Sequence, residues 1–99
     1  MKTAVSLAFA LAALMTTAAQ AQNPIPVKIG VLTDMSSVYA DDTGPGSVAA
    51  AKLAVHDFNP AAHNMKVDIV SADHQNKPDV GASIARQWYD TDHVDAVSH

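Results

Sequence analysis

The residues best suited to chemistry lie in one polar loop between an apolar run and a Gly-Pro-Gly sequence. The loop spans residues 33–43 and carries Tyr39, Asp41 and Asp42. A tyrosine offers a flat face for stacking and a hydroxyl for hydrogen bonding, and small-molecule clefts use both. An aspartate can bind the ammonium or hydroxyl group of a ligand. We therefore predict that these three residues contact a small ligand, although acids just before a helix are also explained by the helix macrodipole.

Other kinds of site find little support in the sequence. The loop contains neither G-x-G-x-x-G nor G-x-x-x-x-G-K-[ST], and Pro45 removes an amide that a phosphate cradle between Gly44 and Gly46 would need. No G-x-S-x-G elbow is present, and a chain without cysteine cannot carry out thiol chemistry. We therefore expect no catalytic residues and no cofactor.

The chain has five histidines, several of them next to an aspartate, and these are the residues that could bind a metal ion. They are His56, His63, His74, His93 and His99. No two are spaced i, i+4 as in a helical zinc site, and no H-x-H occurs. The spacing favours surface and loop histidines, and we predict no metal site.

The hydrophobic pattern predicts a β-α-β-α-β scaffold for the loop. Val27 to Leu32 is a strand with apolar residues on both faces, as in a parallel strand covered by helices on each side. A helix should run from Pro45 to Phe58, and a second strand from Met65 to Ser71. A second helix begins at Pro78, and a third strand forms within Asp92 to Val97. This alternation indicates right-handed crossovers in a parallel, doubly wound α/β sheet.

Each helix has one apolar face that can cover the sheet. In the first helix this face comprises Val48, Ala51, Ala54, Val55 and Phe58. In the second it comprises Val80, Gly81, Ile84, Ala85 and Trp88. Gly30, in the middle of the first strand, is expected to permit close approach of a helix backbone.

Residues 1–21 have the pattern of a secretory signal peptide. Lys2 is followed by an apolar run over residues 4–15, and Ala19-Gln20-Ala21 has the small-x-small form of a cleavage site. The run is shorter than the roughly 20 apolar residues of a membrane span. We predict cleavage after Ala21 and a periplasmic location.

The net charge of the chain argues against two classes of binding partner. The chain has 6 Lys+Arg and 10 Asp+Glu, a formal net charge of −4, and no basic run. Such a chain is unsuited to binding nucleic acid or anionic membrane surfaces.

Several stretches together resemble one protein family. They are residues 28–39 (KIGVLTDMSSVY), 43–55 (TGPGSVAAAKLAV), 66–79 (KVDIVSADHQNKPD), 85–90 (ARQWYD) and 94–97 (VDAV). In this order they resemble the N-terminal part of the periplasmic substrate-binding proteins of ABC importers, in the branched-chain amino acid (Leu/Ile/Val) binding family. The resemblance covers the whole chain after the signal peptide.

The resemblance implies a fold, a function and partners. Residues 22–99 would be the N-terminal part of the first α/β lobe of a type I periplasmic binding protein, with the second lobe absent. The function would be to capture a small organic solute, such as an amino acid or a related acid, amide or aromatic compound, for an ABC permease at the inner membrane. The protein would be no enzyme, and Tyr39 would face the ligand. The loop differs from the more usual family pattern in having Ser37 where a glycine often follows Ser36.

Two other interpretations stay open on the sequence. The chain could be a non-functional truncated remnant, or a fragment of an exported α/β enzyme. An enzyme would need polar groups that converge in one pocket, and the loops offer Asp34, Tyr39, Asp41 and Asp42 for that purpose.

Overall fold

The computed structural model describes residues 23–99, which form three parallel strands and two long helices. The strands are β1 (Ile25–Thr33), β2 (Met65–Asp73) and β3 (Ala96–Ser98). The helices are α1 (Gly44–Phe58) and α2 (Pro78–Asp90), and a short 3-10 helix (Pro60–His63) precedes β2. The predicted β-α-β-α-β order and parallel sheet are confirmed. The predicted signal peptide lies outside the described residues.

The sheet has the order β2-β1-β3, so the first strand in sequence is the central one. β1 pairs with β2 from Ile25–Met65 to Thr33–Asp73, and with β3 from Ile29–Ala96 to Val31–Ser98. Pro26 lies at the start of β1, where a missing ladder amide is tolerated. The connection from β2 to β3 therefore passes over β1. The two helices lie on opposite faces of the sheet, α1 between β1 and β2 in sequence and α2 between β2 and β3.

The α2 face of the sheet is closely packed. Trp88, 8% exposed, packs with Leu32 and Val94 to form the buried core of this face. A Cβ atom on Gly30 would lie 2.4 Å from Cζ3 of Trp88. Gly30 therefore makes room for an indole ring, and not for the helix backbone that the sequence analysis expected there. A large side chain on α2 has filled the space that the glycine leaves.

The α1 face is more open. The predicted apolar face of α1 does point toward the sheet, and it borders a cavity of about 470 Å³. The cavity is lined by Val27, Ile29, Ala51, Ala54, Val55, Phe58, Met65, Val67, Ile69 and Ser98. Phe58 is 49% exposed, and its ring stacks on His63 with centroids 4.4 Å apart. The small alanine side chains leave this space between α1 and the sheet.

Some element boundaries differ from those predicted. β2 continues to Asp73 because its last residues still pair with β1. β3 begins only at Ala96, since Asp92 and Val94 donate backbone hydrogen bonds to the end of α2. α1 begins at Gly44, one residue before the predicted start at Pro45. The hydroxyl of Thr43 donates to the carbonyl of Tyr39 (2.9 Å) and does not cap the helix. Within residues 23–99 no helix has the length and apolar character to cross a membrane.

Candidate functional site

The candidate site lies at the carboxyl edge of the sheet. The loops after β1 and β2 start there, and His99 follows the end of β3. The loops after β1 and β2 lead to helices on opposite faces of the sheet, which leaves space outside the strand ends between them. In open α/β sheets ligands bind at such a point.

The loop after β1 is built around the carboxylate of Asp34, which is 1% exposed. One oxygen, Oδ1, accepts the amides of Ser36 (3.2 Å) and Ser37 (2.8 Å). The other, Oδ2, accepts the Ser37 hydroxyl (2.6 Å) and the Tyr39 amide (3.0 Å). The Ser37 hydroxyl, with the amides of Tyr39, Ser37 and Ser36, lowers the pKa of Asp34 from 3.8 to about 2, against the opposing effect of desolvation. The charged carboxylate thus fixes the loop up to Tyr39.

A second aspartate joins this loop to the loop after β2. Oδ1 of Asp73 accepts the amide of Met35 (2.9 Å) and the amide of Gln75 (2.8 Å). The Ser36 side chain and the Met35 amide hold the pKa of Asp73 below its ordinary value. The amide of His74 donates to the carbonyl of Thr33 (3.0 Å). The two loops are therefore tied together directly beyond the strand ends.

A cavity of about 260 Å³ lies between these loops and the end of β3. It is lined by Asp34, Tyr39, Thr43, His74, Asn76 and His99. A neighbouring cavity of about 350 Å³ shares His74, Asn76 and His99 and extends to the start of α2 at Lys77 and Pro78. Three rings and several hydrogen-bonding groups thus surround one small space, which suits non-covalent binding of a small molecule.

The predicted site residues fall into two groups. Tyr39 lines the 260 Å³ cavity and is 54% exposed. Asp41 and Asp42 are exposed residues of the same loop, and neither is among the residues lining this cavity. The structure therefore brings Tyr39 together with His74 and His99, and leaves the two aspartates on the outer part of the loop.

Several residues of the site were not among the ligand contacts predicted from the sequence. Asp34 and Asp73 hold the loops, and His74 and His99 form cavity walls. A signal for Asp34 was present, since an Asp followed by Ser-Ser is typical of a turn in which the carboxylate accepts nearby amides. The meeting of residues 34 and 99 depends on the strand order, which a local pattern does not contain. Among residues 23–99 no group of three or more His, Cys, Asp or Glu side chains is placed to hold a metal ion.

Comparison with known proteins identifies the family. The family model described as "Periplasmic binding protein" matches residues 26–99. The chain belongs to this family. This confirms the resemblance seen in the sequence, and members of the family are substrate-binding proteins. A search of the curated proteins finds no match.

Solved structures support the same assignment. A branched chain amino acid ABC transporter periplasmic ligand-binding protein from Burkholderia xenovorans LB400 is 59% identical, with a TM-score of 0.67, over 72% of this chain and 19% of that one. A periplasmic binding protein from Burkholderia mallei is 47% identical, with a TM-score of 0.69, over 73% of this chain and 19% of that one. An ABC transporter substrate-binding protein from Sphaerobacter thermophilus, 24% identical with a TM-score of 0.64 over 73% and 19%, shares the fold.

These matches also define how much of the relatives the chain represents. The matched part spans about a fifth of the length of each solved relative. The fold class predicted from the sequence, the start of an α/β lobe of a periplasmic binding protein, is confirmed by these neighbours.

Proposed function

We propose that the chain is the solute-binding component of an ABC importer. It captures a small organic solute, an amino acid or a related acid, amide or aromatic compound, and presents it to a permease at the inner membrane. Residues 22–99 form the N-terminal part of the first lobe, and residues 1–21 direct export to the periplasm and are removed after Ala21. The observation that carries the proposal is the cavity at the carboxyl edge of the sheet, in a chain that belongs to the periplasmic binding proteins.

Three residues of the first loop are proposed to contact the solute. Tyr39 already borders the cavity and can stack on the ligand or bond it through its hydroxyl. Asp41 and Asp42 lie farther out on the same loop, where an ammonium or hydroxyl group of the ligand can reach them. Because Asp34 fixes the Tyr39 amide, the contact surface is formed before the ligand arrives, which lowers the entropy lost on binding.

The test uses the chain and a chimera that supplies the rest of the fold. In the chimera, residues 26–99 replace the corresponding segment of the 59%-identical Burkholderia xenovorans protein. Both proteins are titrated with a panel of amino acids, amides and aromatic acids by calorimetry. We expect one solute class to bind, and we expect Tyr39→Ala to weaken its binding about tenfold, the effect of losing one good aromatic contact.

Matched variants make this test specific. Tyr89→Ala removes a tyrosine of similar exposure (52%) from α2, outside the cavity, and should leave affinity unchanged. Asp41→Asn and Asp42→Asn test the two aspartates one at a time. If Tyr39→Ala binds as tightly as Tyr89→Ala, Tyr39 does not contact the solute. If no member of the panel binds either protein, the proposed function is wrong.

A further inference from the structure

The cavity of about 470 Å³ between α1 and the sheet is an open apolar groove, the α1 groove. Apart from Ser98, every residue that lines it is apolar, and these residues come from α1, β1 and β2. Ala54 and Phe58 of its helical wall are exposed, so water meets apolar side chains along this face. A contiguous exposed apolar surface of this kind marks a contact with another apolar segment.

The topology of the sheet explains why the α1 groove is open. α1 connects β1 to β2 on one face, and α2 crosses back over β1 to β3 on the other. A right-handed crossover that continued beyond β3 in the same direction would again place its helix on the α2 face. The groove therefore needs an occupant that does not belong to this series of crossovers.

Residues 1–22 join the described chain beside the groove. The amide of Ile25 donates to the carbonyl of Asn64 (2.8 Å), and Nδ2 of Asn64 donates to the carbonyl of Asn23 (3.4 Å). Asn64 directly precedes Met65, which lines the groove at the amino end of β2. The attachment holds the segment at this end of the groove, where a short linker gives an effective concentration on the order of millimolar.

The same segment contains an apolar run that matches the groove in pattern and length. Residues 4–15 carry no charge, and Leu7, Leu11 and Leu14 recur at i, i+4 and i+7, the spacing of anchors in a helix that binds an apolar groove. As a helix this run is about 18 Å long, and the groove wall from Met65 to Ile69 extends for about 13 Å. Residues 16–22 can span about 23 Å when extended, which is enough for the run to fold back.

We propose that, before cleavage, residues 4–15 dock in the α1 groove as a helix, with Leu7, Leu11 and Leu14 against its apolar walls. The helix lies antiparallel to β1, because residues 16–22 turn at the amino end of the sheet. A folded chain then covers its own export segment, so export must begin before β1, α1 and β2 have assembled. This inference goes beyond the proposed function, and its consequence for export rests on residues 1–21 being the export segment.

The decisive measurement is paramagnetic NMR of the full chain, residues 1–99. The sequence has no cysteine, so a nitroxide attached to Ser6→Cys, a substitution of nearly the same size, labels one position. We expect the label to broaden the methyl signals of Ile29 and Ile69 in the groove. The methyl signals of Ile84 and Val94, packed on the α2 face, should lose much less intensity.

Matched variants assign the broadening to the leucine face and to the groove. Leu11→Asp should lower the ratio of docked to undocked segment about tenfold or more, because a leucine contact is lost and a charge would be buried. Ala13→Asp introduces the same charge on the opposite side of the helix and should leave the broadening unchanged. Ala54→Asp places a charge in the groove and should abolish the broadening, whereas Ser83→Asp, on the exposed side of α2, should not.

Other occupants give different results. Nitroxide-labelled chain is mixed with isotope-labelled chain that carries no nitroxide, and broadening of the groove signals in this mixture would mean that the segment of a second copy fills the groove. Equal broadening on both faces would mean that the segment has no preferred site. Equal effects of Leu11→Asp and Ala13→Asp would exclude the leucine face. Each of these three results overturns the inference and leaves the proposed function standing, because solute capture depends on the carboxyl edge of the sheet.

Discussion

The two faces of the sheet are covered to different degrees by the same kind of element. On one face, α2 places Trp88 against Gly30 and forms a buried core with Leu32 and Val94. On the other, α1 presents mainly alanines and leaves a cavity of about 470 Å³ with Phe58 half exposed. Both helices have an apolar face, so this face alone does not determine how well a sheet is covered.

What distinguishes the faces is the fit between large and small side chains. A glycine on the strand and a tryptophan on the helix match in shape, so burial and close contact occur together. Alanine against valine and isoleucine leaves a gap, because neither side supplies the missing volume. The α2 face should therefore carry most of the stability that residues 23–99 generate, and four predictions test this difference.

The largest effect is expected from removing the indole. Trp88→Ala should lower the free energy of unfolding by about 3–5 kcal/mol, as large-to-small changes in a core do. Phe58→Ala should cost only about 1 kcal/mol, because half of that side chain already meets water. Urea unfolding followed by circular dichroism measures both. Equal losses of unfolding free energy for the two variants would show that the two faces of the sheet contribute equally to stability.

The next effect comes from filling the space under the indole. Gly30→Ala places a methyl group 2.4 Å from Cζ3 of Trp88, so the ring must move, and we expect a loss of about 1–3 kcal/mol. Gly46→Ala is the matched control on the α1 side. Its new methyl group meets open space within a helix, so we expect a gain of up to about 1 kcal/mol. A neutral Gly30→Ala would mean that the indole does not pack against this glycine.

Acid should loosen the loop around Asp34, at the carboxyl edge of the sheet, before it affects the core around Trp88. The pKa of Asp34 is lowered from 3.8 to about 2 in the folded chain, so its stabilisation is complete above pH 4 and is lost as the pH falls toward 2. Over this range the amide signals of Ser37 and Tyr39 should shift while Trp88 fluorescence still reports a buried indole. Asp34→Asn should reduce the pH dependence of stability in this window, and Asp41→Asn is the control in the same loop. Simultaneous loss of both signals would indicate that edge and core unfold as one unit.

The smallest effect is local and concerns the hydrogen bonds through which Asp73 joins the loops after β1 and β2. Asp73→Ala removes the acceptor of the Met35 and Gln75 amides, so hydrogen exchange at these two positions should accelerate. Amides in the middle of α2 should keep their rates, because that helix is anchored through Trp88. Asp68→Ala, on an exposed position of β2, is the control. If exchange accelerates throughout the chain, the Asp73 hydrogen bonds contribute to global stability and not only to the local order of the two loops.

The sequence predicted the elements of this fold better than the arrangement of its site. Residue patterns were enough for the element order, for the start of α2 and for the apolar faces of both helices, because these depend on neighbours within one or two turns. The contact of Trp88 with Gly30 was missed since it depends on the crossing of two elements. The role of Asp73 and the pairing of His74 with His99 were missed because both require the strand order β2-β1-β3, which brings the ends of three separate segments together.

The central position of β1 has a consequence for how the chain folds as it is synthesised. The strand is synthesised first, but its pairing is completed only when the backbone of Lys28 bonds with Asp95, 67 residues later. Contacts of such high sequence separation form slowly because a long loop must close first. Until then residues 27–32, apolar except for Lys28 and Gly30, have an unpaired edge, the state in which a strand is prone to aggregate. Binding by a chaperone that recognises short apolar segments should therefore be strongest while β3 has not yet emerged, and should end once residues 96–98 dock.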